Sequence, residues 1–398
     1  MRIAVLQPTF GGFFPRYYNA LHEAFISQGH FVKVFGTRNS INNHIVLPNQ
    51  VLFGSRLNWH IHHFLFKITG VHEIFSLSDT LHLLFKLSKF KPDVIHLNMI
   101  NKCVLNMPLF VKYVNYHKIP VVWTMHDCRA FTAFCPYPDE ENCDKWKTGC
   151  HTCPICYTRI DNSNLQWKIN RKWNSGFDNL TIVTPSKWLA DSVQKSFLKY
   201  FPLKVIYNGV NTDVFSQKSE CDIRQKYSIN VDKKIVLGCA INWEVRKGLI
   251  FFDSLADFLP ENYQIVLIGR IKDEQKKDLS RRIICTGRTS TFDEMIAWYQ
   301  NASVFCNPTL ADNFPTTNIE ALAAGTPVVT FRTGGSPEAI DDKTGIVVEQ
   351  GNMEALCDAI LKVCENRDYY TVENCRIRSM MFSQSQYNEY VKLFSSLI

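Results

Sequence analysis

Twelve short apolar runs, rich in Val and Ile, alternate with longer stretches of helical spacing along the 398 residues. In the first half the runs are Arg2–Leu6, Phe31–Phe35, Val94–Leu97, Val121–Met125 and Leu180–Thr184. In the second they are Val205–Tyr207, Ile235–Cys239, Gln264–Ile268, Arg282–Thr286, Ser303–Asn307, Val328–Phe331 and Ile346–Val348. These runs are apolar nearly throughout instead of alternating, as strands buried on both faces of a parallel sheet are. Two such series predict an α/β chain of two doubly wound, parallel-sheet (Rossmann-like) domains. The predicted division is 1–203, 204–375 and a tail helix over 376–398, whose Phe382, Tyr387, Tyr390, Val391 and Phe394 keep helical spacing. A ligand is expected in a cleft between the strand carboxyl ends of the two domains.

The formal charge of +7 suits a phosphate-bearing substrate or an anionic membrane surface, and equally a plain soluble protein with excess Lys. It carries no base-reading signature, so nucleic acid is not an expected partner. The opening MRIAVLQPTF is too short in apolar residues for a signal-peptide core, and no run approaches the ~20 residues of a membrane span. The expected location is cytoplasmic, with peripheral contact at the inner membrane face as the further expectation. Leu57–Gly70, LNWHIHHFLFKITG, could lie on a membrane surface, but reads first as a buried helix.

Three stretches suit charged-ligand chemistry. Gly11 and Gly12 follow the first strand and precede a helix, where backbone can approach an anion; a plain loop is the alternative. In SVFCNPTLADNFPTTNIEALAAGTP a polar loop leads to Pro315 at a helix start, with Gly325 closing the helix. Free N–H groups near Phe314 to Thr317 could hold a diphosphate. Asp312 and Glu320 lie eight positions apart across this turn. One carboxylate could meet a sugar hydroxyl and the other a ribose diol; an acid favoured by the helix dipole is the alternative for Glu320. Arg246 and Lys247 follow a strand in GCAINWEVRKGL, where two cations could neutralise a leaving diphosphate, or simply be a solvated pair.

Taken with KPDVIHLN (Lys91–Asn98), IPVVWTMHDCRAFT (Ile119–Thr132), TPSKWLADSV (Thr184–Val193), VIYNGVNTDVF (Val205–Phe215) and LIGR (Leu267–Arg270), these pieces resemble the retaining nucleotide-sugar glycosyltransferases of family 4 over nearly the whole chain. The resemblance implies the GT-B fold, with the tail helix crossing back onto the first domain. It implies that Glu320 holds the ribose hydroxyls and that backbone at Asn313–Thr317 holds the β-phosphate. Lys247 and Arg246 would neutralise the diphosphate, Gly12 would lie beneath it, and His126 would lie near the donor sugar. Asp312 stands where the family has glutamate, and Asn242 where many members have arginine.

The implied reaction moves a glycosyl group from a nucleoside diphosphate sugar to an acceptor hydroxyl with retention, in bacterial polysaccharide or lipid-linked oligosaccharide assembly. No carboxylate presents itself as a covalent nucleophile, so same-face attack assisted by the leaving phosphate is expected. No Asp-x-Asp occurs, and no catalytic metal is expected. Alternatives are a sugar-nucleotide epimerase or phosphorylase of the same fold, and a non-enzymatic nucleotide-sugar-binding module.

Six of the fourteen cysteines lie between His126 and Cys156. Cys135, Cys143, Cys150 and Cys153 follow C-x7-C-x6-C-x2-C, which four-thiolate zinc sites can use. A subset of the family has a similar Cys-rich segment after the His-Asp pair. Structural zinc, free thiols and disulfides all stay open, the last disfavoured in a reducing compartment. Four sulfur ligands would leave no open position for catalysis.

Overall fold

The computed structural model describes residues 1–39, 41–100 and 103–398. They divide into two units, Met1–Tyr207 with Ser385–Ile398, and Asn208–Gln384.

The first unit is built on β1 (Arg2–Leu6), β2 (Phe31–Thr37), β3 (Gln50–Phe53), β4 (Val94–Leu97), β5 (Val121–Thr124), β6 (Leu180–Thr184) and β7 (Leu203–Val205). Their order is β3-β2-β1-β4-β5-β6-β7, every pair parallel. The second unit carries β8 (Lys234–Asn242), β9 (Tyr263–Arg270), β10 (Ile283–Gly287), β11 (Val304–Asn307), β12 (Val328–Phe331) and β13 (Gly345–Val348). These run β10-β9-β8-β11-β12-β13, again all parallel. Strand order reverses beside β1 in one unit and beside β8 in the other, and ligands of such sheets bind outside the strand carboxyl ends at that reversal.

The continuous apolar runs have a direct reason. Successive residues of β1 serve different cores: Ala4 and Leu6 join Phe35, Ile95 and Leu97 on one face, while Ile3 and Val5 join Val32, Val34 and Val122 on the other. A strand lying between two cores must be apolar on both sides. The second core of this sheet is closed by the tail helix Tyr387–Ser395, which supplies Tyr387, Tyr390, Val391 and Phe394. Phe394 is fully buried, its ring centroid 4.9 Å from Phe25 and 5.4 Å from His96.

Four expectations change. β3 has no sequence signature: its side chains are mostly half-buried at the sheet edge, where an apolar run is not required. The run at Val205–Tyr207 belongs to the first sheet, as the end of β7 beside β6, because a short edge strand does not declare its sheet. The tail pattern is interrupted. Val372–Met380 and Tyr387–Ser395 are separate helices, and between them Ser383 bridges Val210 within the second unit. Finally, Leu57–Gly70 is not a buried helix; over Arg56–Thr69 only His62 and Phe66 are buried.

Phe394→Ala should destabilise the chain by roughly 3–5 kcal/mol, the usual loss for truncating a buried Phe. Urea unfolding measures this, and a negligible change would mean that the tail helix does not close this core.

Candidate functional site

In the second unit the reversal point brings two loops together. The one after β8 carries Arg246 and Lys247 in a short 3-10 turn, Val245–Lys247. The one after β11 carries Asp312 and Asn313 into the helix Thr316–Ala324. Backbone joins the loops: Leu310 N donates to Arg246 O at 2.7 Å, and Thr309 Oγ1 donates to the same carbonyl at 3.0 Å. Gly248, at φ +76°, leaves no room for more than hydrogen, since a Cβ would lie 2.1 Å from Pro308 O. On the other side Gly334, at φ +52°, presses against Asp312, where a Cβ would lie 1.8 Å from its carbonyl oxygen. Gly335 N then donates to Asn313 O at 2.9 Å.

Of the predicted cations, Lys247 has its Nζ 2.5 Å from Asp312 Oδ2, with both side chains largely shielded from water. Arg246 turns to the loop, NH1 donating to Ala311 O at 3.1 Å and Nε to Glu244 Oε2 at 3.2 Å. Asn242 is the exposed last residue of β8. Pro315 is the N-cap rather than the first helical residue, and Thr316 and Thr317 open the helix. Phe314 packs on Phe382, centroids 5.5 Å apart.

Glu320 is buried and accepts a 2.9 Å hydrogen bond from Tyr299 OH. Burial, helped by Cys239 and Glu320, raises the Tyr299 pKa well above the usual phenol range, so it donates at all physiological pH. Beneath the helix start lies a buried polar chain. Asn307 Nδ2 donates to Asn318 Oδ1 at 2.7 Å, and Asn318 Nδ2 donates to Ser336 Oγ at 3.0 Å. Thr330 shares a 2.7 Å bond with Ser336 Oγ. This chain fixes the helix start relative to β11 and β12.

Sequence reasoning missed Tyr299 and Asn318, which act through another residue and belong to no motif. It also missed a cavity of about 200 Å³ at the carboxyl ends of β9 and β10, whose lining includes Arg270, Asp273, Lys276 and Arg288. Only Arg270, within LIGR, gave a signal. A larger cavity of about 680 Å³ lies along β13 and contains none of the predicted residues.

In the first unit Gly11 and Gly12 lie in the loop after β1; Gly12 is exposed at φ +70° with open space above its Cα. His126 follows β5. Its Nε2 is 3.3 Å from Asn98 Oδ1, and its ring meets Phe13 and Tyr17 edge-on at 5.1 and 5.6 Å. Asn98 Nδ2 is buried without a partner among the described residues. Burial pulls the His126 pKa down to about 4, so its imidazole is neutral near pH 7. Asp127, paired with His126 in sequence, instead caps the turn that follows, accepting from Arg129 N at 2.9 Å.

Cys135, Cys143, Cys150 and Cys153 line one cavity of about 20 Å³, so the chain does bring the four together. All are free thiols. Burial pushes Cys135 and Cys150 up to about 12. Four sulfurs around one cavity suit zinc in kind and number. Their present spacing is not a ligating one, however: among the described residues no three His, Cys, Asp or Glu form a metal-holding group.

The architecture is that of the GT-B fold, two parallel-sheet units of seven and six strands. HepE of Anabaena, solved in complex with UDP, superposes with a TM-score of 0.72 over 100% of both chains at 14% identity. The family model Glycosyltransferase Family 4 matches residues 15–214, half of the chain, and Glycosyl transferases group 1 matches 233–366. The chain therefore belongs to the family 4 glycosyltransferases. The sulfoquinovosyl transferase SQD2 of Arabidopsis thaliana is 24% identical over 74% of this chain and 54% of its own length. The putative colanic acid biosynthesis glycosyl transferase WcaC of Escherichia coli K12 is 22% identical over 77% of each. The match thus spans only about half the length of the first relative. Among the described residues no helix is long and apolar enough to cross a membrane.

Fully buried His96 donates or accepts at 2.8 Å with Thr124 Oγ1, which also meets Tyr390 OH at 3.0 Å. Burial, then the neighbouring His126, pull the His96 pKa down to about 3. An unfolded histidine titrates near 6.5, so the unfolded chain binds more protons below that pH. Stability is then complete above about 6.5 and falls as the pH drops toward the folded values. At pH 5 His96 alone should cost about 2 kcal/mol relative to pH 7.5. Urea midpoints across this range check it, and His96→Gln should flatten the slope.

Proposed function

We propose that the protein transfers a glycosyl group from a nucleoside diphosphate sugar to a saccharide or lipid-linked acceptor hydroxyl, with retention of configuration, in polysaccharide or lipid-linked saccharide assembly. The observation that carries this is the approach of Lys247 to Asp312 beside the N-terminus of the helix Thr316–Ala324, at the strand-order reversal of the second sheet. A cation and a helix N-terminus together suit a diphosphate. HepE, of the same fold, has been solved with UDP and with UDP-glucose, which supports this donor class.

In this reading the diphosphate takes over the Lys247 charge that Asp312 now neutralises. Backbone N–H groups at the start of the helix Thr316–Ala324 share the load, and Arg246 adds a second cation. Asp312, released, turns to a hydroxyl of the donor sugar. Glu320, aimed by Tyr299, takes the ribose diol, and the Arg270–Arg288 cavity takes the base. As the glycosyl bond breaks, charge grows on the β-phosphate, where Lys247 lowers the barrier. The acceptor attacks from the same face and its proton passes to the departing phosphate. On the first unit, taken by itself, neutral His126 and the Asn98 amide offer hydrogen bonds to hydroxyls, and the open space over Gly12 suits close approach of an anion. No step needs a catalytic metal.

Acceptor-dependent release of nucleoside diphosphate over a panel of donors tests the reaction. Lys247→Ala should lower kcat/KM by ~10²-fold or more, the effect of losing a transition-state contact. Tyr299→Phe should cost about 10-fold, chiefly in KM, since it removes one hydrogen bond that aims Glu320. Donor conversion without any acceptor would instead mark an epimerase.

The four-cysteine segment is proposed as a zinc staple closed by Cys135, Cys143, Cys150 and Cys153. Purified protein should then contain about one zinc per chain. Elemental analysis should find it lost in Cys150→Ser; metal-free, fully active protein would remove the staple from this account.

A further inference from the structure

The helices Arg56–Thr69 and Leu77–Phe90 both belong to the first unit. Each turns one stripe inward: His62 and Phe66 from the first, and Thr80, Leu83, Leu84, Leu87 and Phe90 from the second. In an ordinary surface helix the opposite stripe is polar. Here it is not. Leu57, Ile61, Phe64 and Ile68 recur at helical spacing and are 38–69% exposed. Leu77, Leu81 and Phe85 do the same on the second helix, at 52–57%. Asn58 ties the helices together, donating to Ser78 Oγ and Asp79 Oδ1, both at 2.9 Å. The helix Arg56–Thr69 begins just after β3 ends, at the carboxyl edge of the sheet.

The charges around these stripes have one sign. From Ser55 to Lys91 the chain holds five cations, Arg56, Lys67, Lys86, Lys89 and Lys91, and two acids, Glu73 and Asp79. The acids are 6% and 5% exposed and face inward, Glu73 to His72 Nδ1 at 3.3 Å and Asp79 to Asn58. Water therefore meets apolar side chains and cations on this surface, and no carboxylate from this stretch. Lys89 lies over the Phe85 ring at 4.3 Å, so cation and apolar contact occur side by side. A second copy of the chain would bring cations against cations. An anionic bilayer matches both properties at once: acyl chains receive the apolar stripe and phosphate headgroups receive the cations.

We propose that the surface of these two helices docks the protein on an anionic lipid bilayer, with Leu57, Ile61, Phe64, Leu81 and Phe85 as the inserted residues. The inference rests on this surface alone and stands whichever donor the enzyme uses.

Co-sedimentation of the full chain with vesicles tests it. Wild-type protein should bind phosphatidylcholine vesicles that contain phosphatidylglycerol, bind pure phosphatidylcholine much less, and lose binding as salt rises. Ile61→Glu with Phe64→Glu should lower the partition coefficient by about 10-fold or more. Leu81→Glu with Phe85→Glu should do the same. All four side chains are exposed, so circular dichroism and the melting temperature should stay at wild-type values and separate lost docking from lost folding. Equal binding by wild type and both variants, or no binding of wild type to the anionic vesicles, would overturn the proposal. So would a wild-type dimer in analytical ultracentrifugation that Phe64→Glu dissociates, since the surface would then be a self-association face.

Discussion

A parallel sheet survives in water only when both faces are covered, and nearly everything else in this protein follows from that. Consecutive residues of each central strand must serve opposite cores, as Ala4 and Val5 do. The covering helices force every strand to point the same way, so all strand-to-helix loops leave from one edge. Charged and polar groups that cannot be spared inside then gather at that edge. Lys247, Asp312 and the helix start at Thr316 meet there because the strand order reverses between β8 and β11.

The local electrostatics of this edge are balanced. Lys247 is satisfied by Asp312, and Arg246 by the Ala311 carbonyl and Glu244. Under the proposed function an arriving phosphate would exchange one anionic partner for another, so the cost of desolvating the lysine would largely be met before the ligand comes. Steric limits hold the arrangement in place. Gly248 and Gly334 bring backbone so close on either side of the β11 loop that no other residue fits without moving it. The same logic covers Glu320, whose burial is tolerated because Tyr299 donates to it.

The central strands were legible because burial on both faces writes itself into composition. Edge strands were not: β3 is mostly half-buried and β7 is three residues long, so neither carries that imprint. Asp312, Lys247 and Glu320 could be picked out by residue type and spacing, and the loops do bring the first two into contact. Their supporting groups could not. Tyr299 sits on a helix with no motif, and Asn318 works beneath the helix start through Asn307 and Ser336. Such residues are defined by what they touch across sheets, information that a linear pattern lacks. Asp127, beside His126 in sequence, caps a turn, a role that sequence adjacency does not reveal.

The tail helix has a consequence for how the protein comes into being. Tyr390 reaches the Thr124 hydroxyl that His96 also bonds, and Phe394 fills the core against Phe25. One face of the first sheet is therefore finished by residues that follow the whole second unit in the chain. A ribosome delivers residues 1–207 long before it delivers 385–398, and the whole of the second unit emerges in between. The first unit therefore waits with an apolar face uncovered while the whole of the second unit is made. For the first unit, order of synthesis and order of completion thus part ways: strands made early wait for a helix that lies beyond an entire second unit.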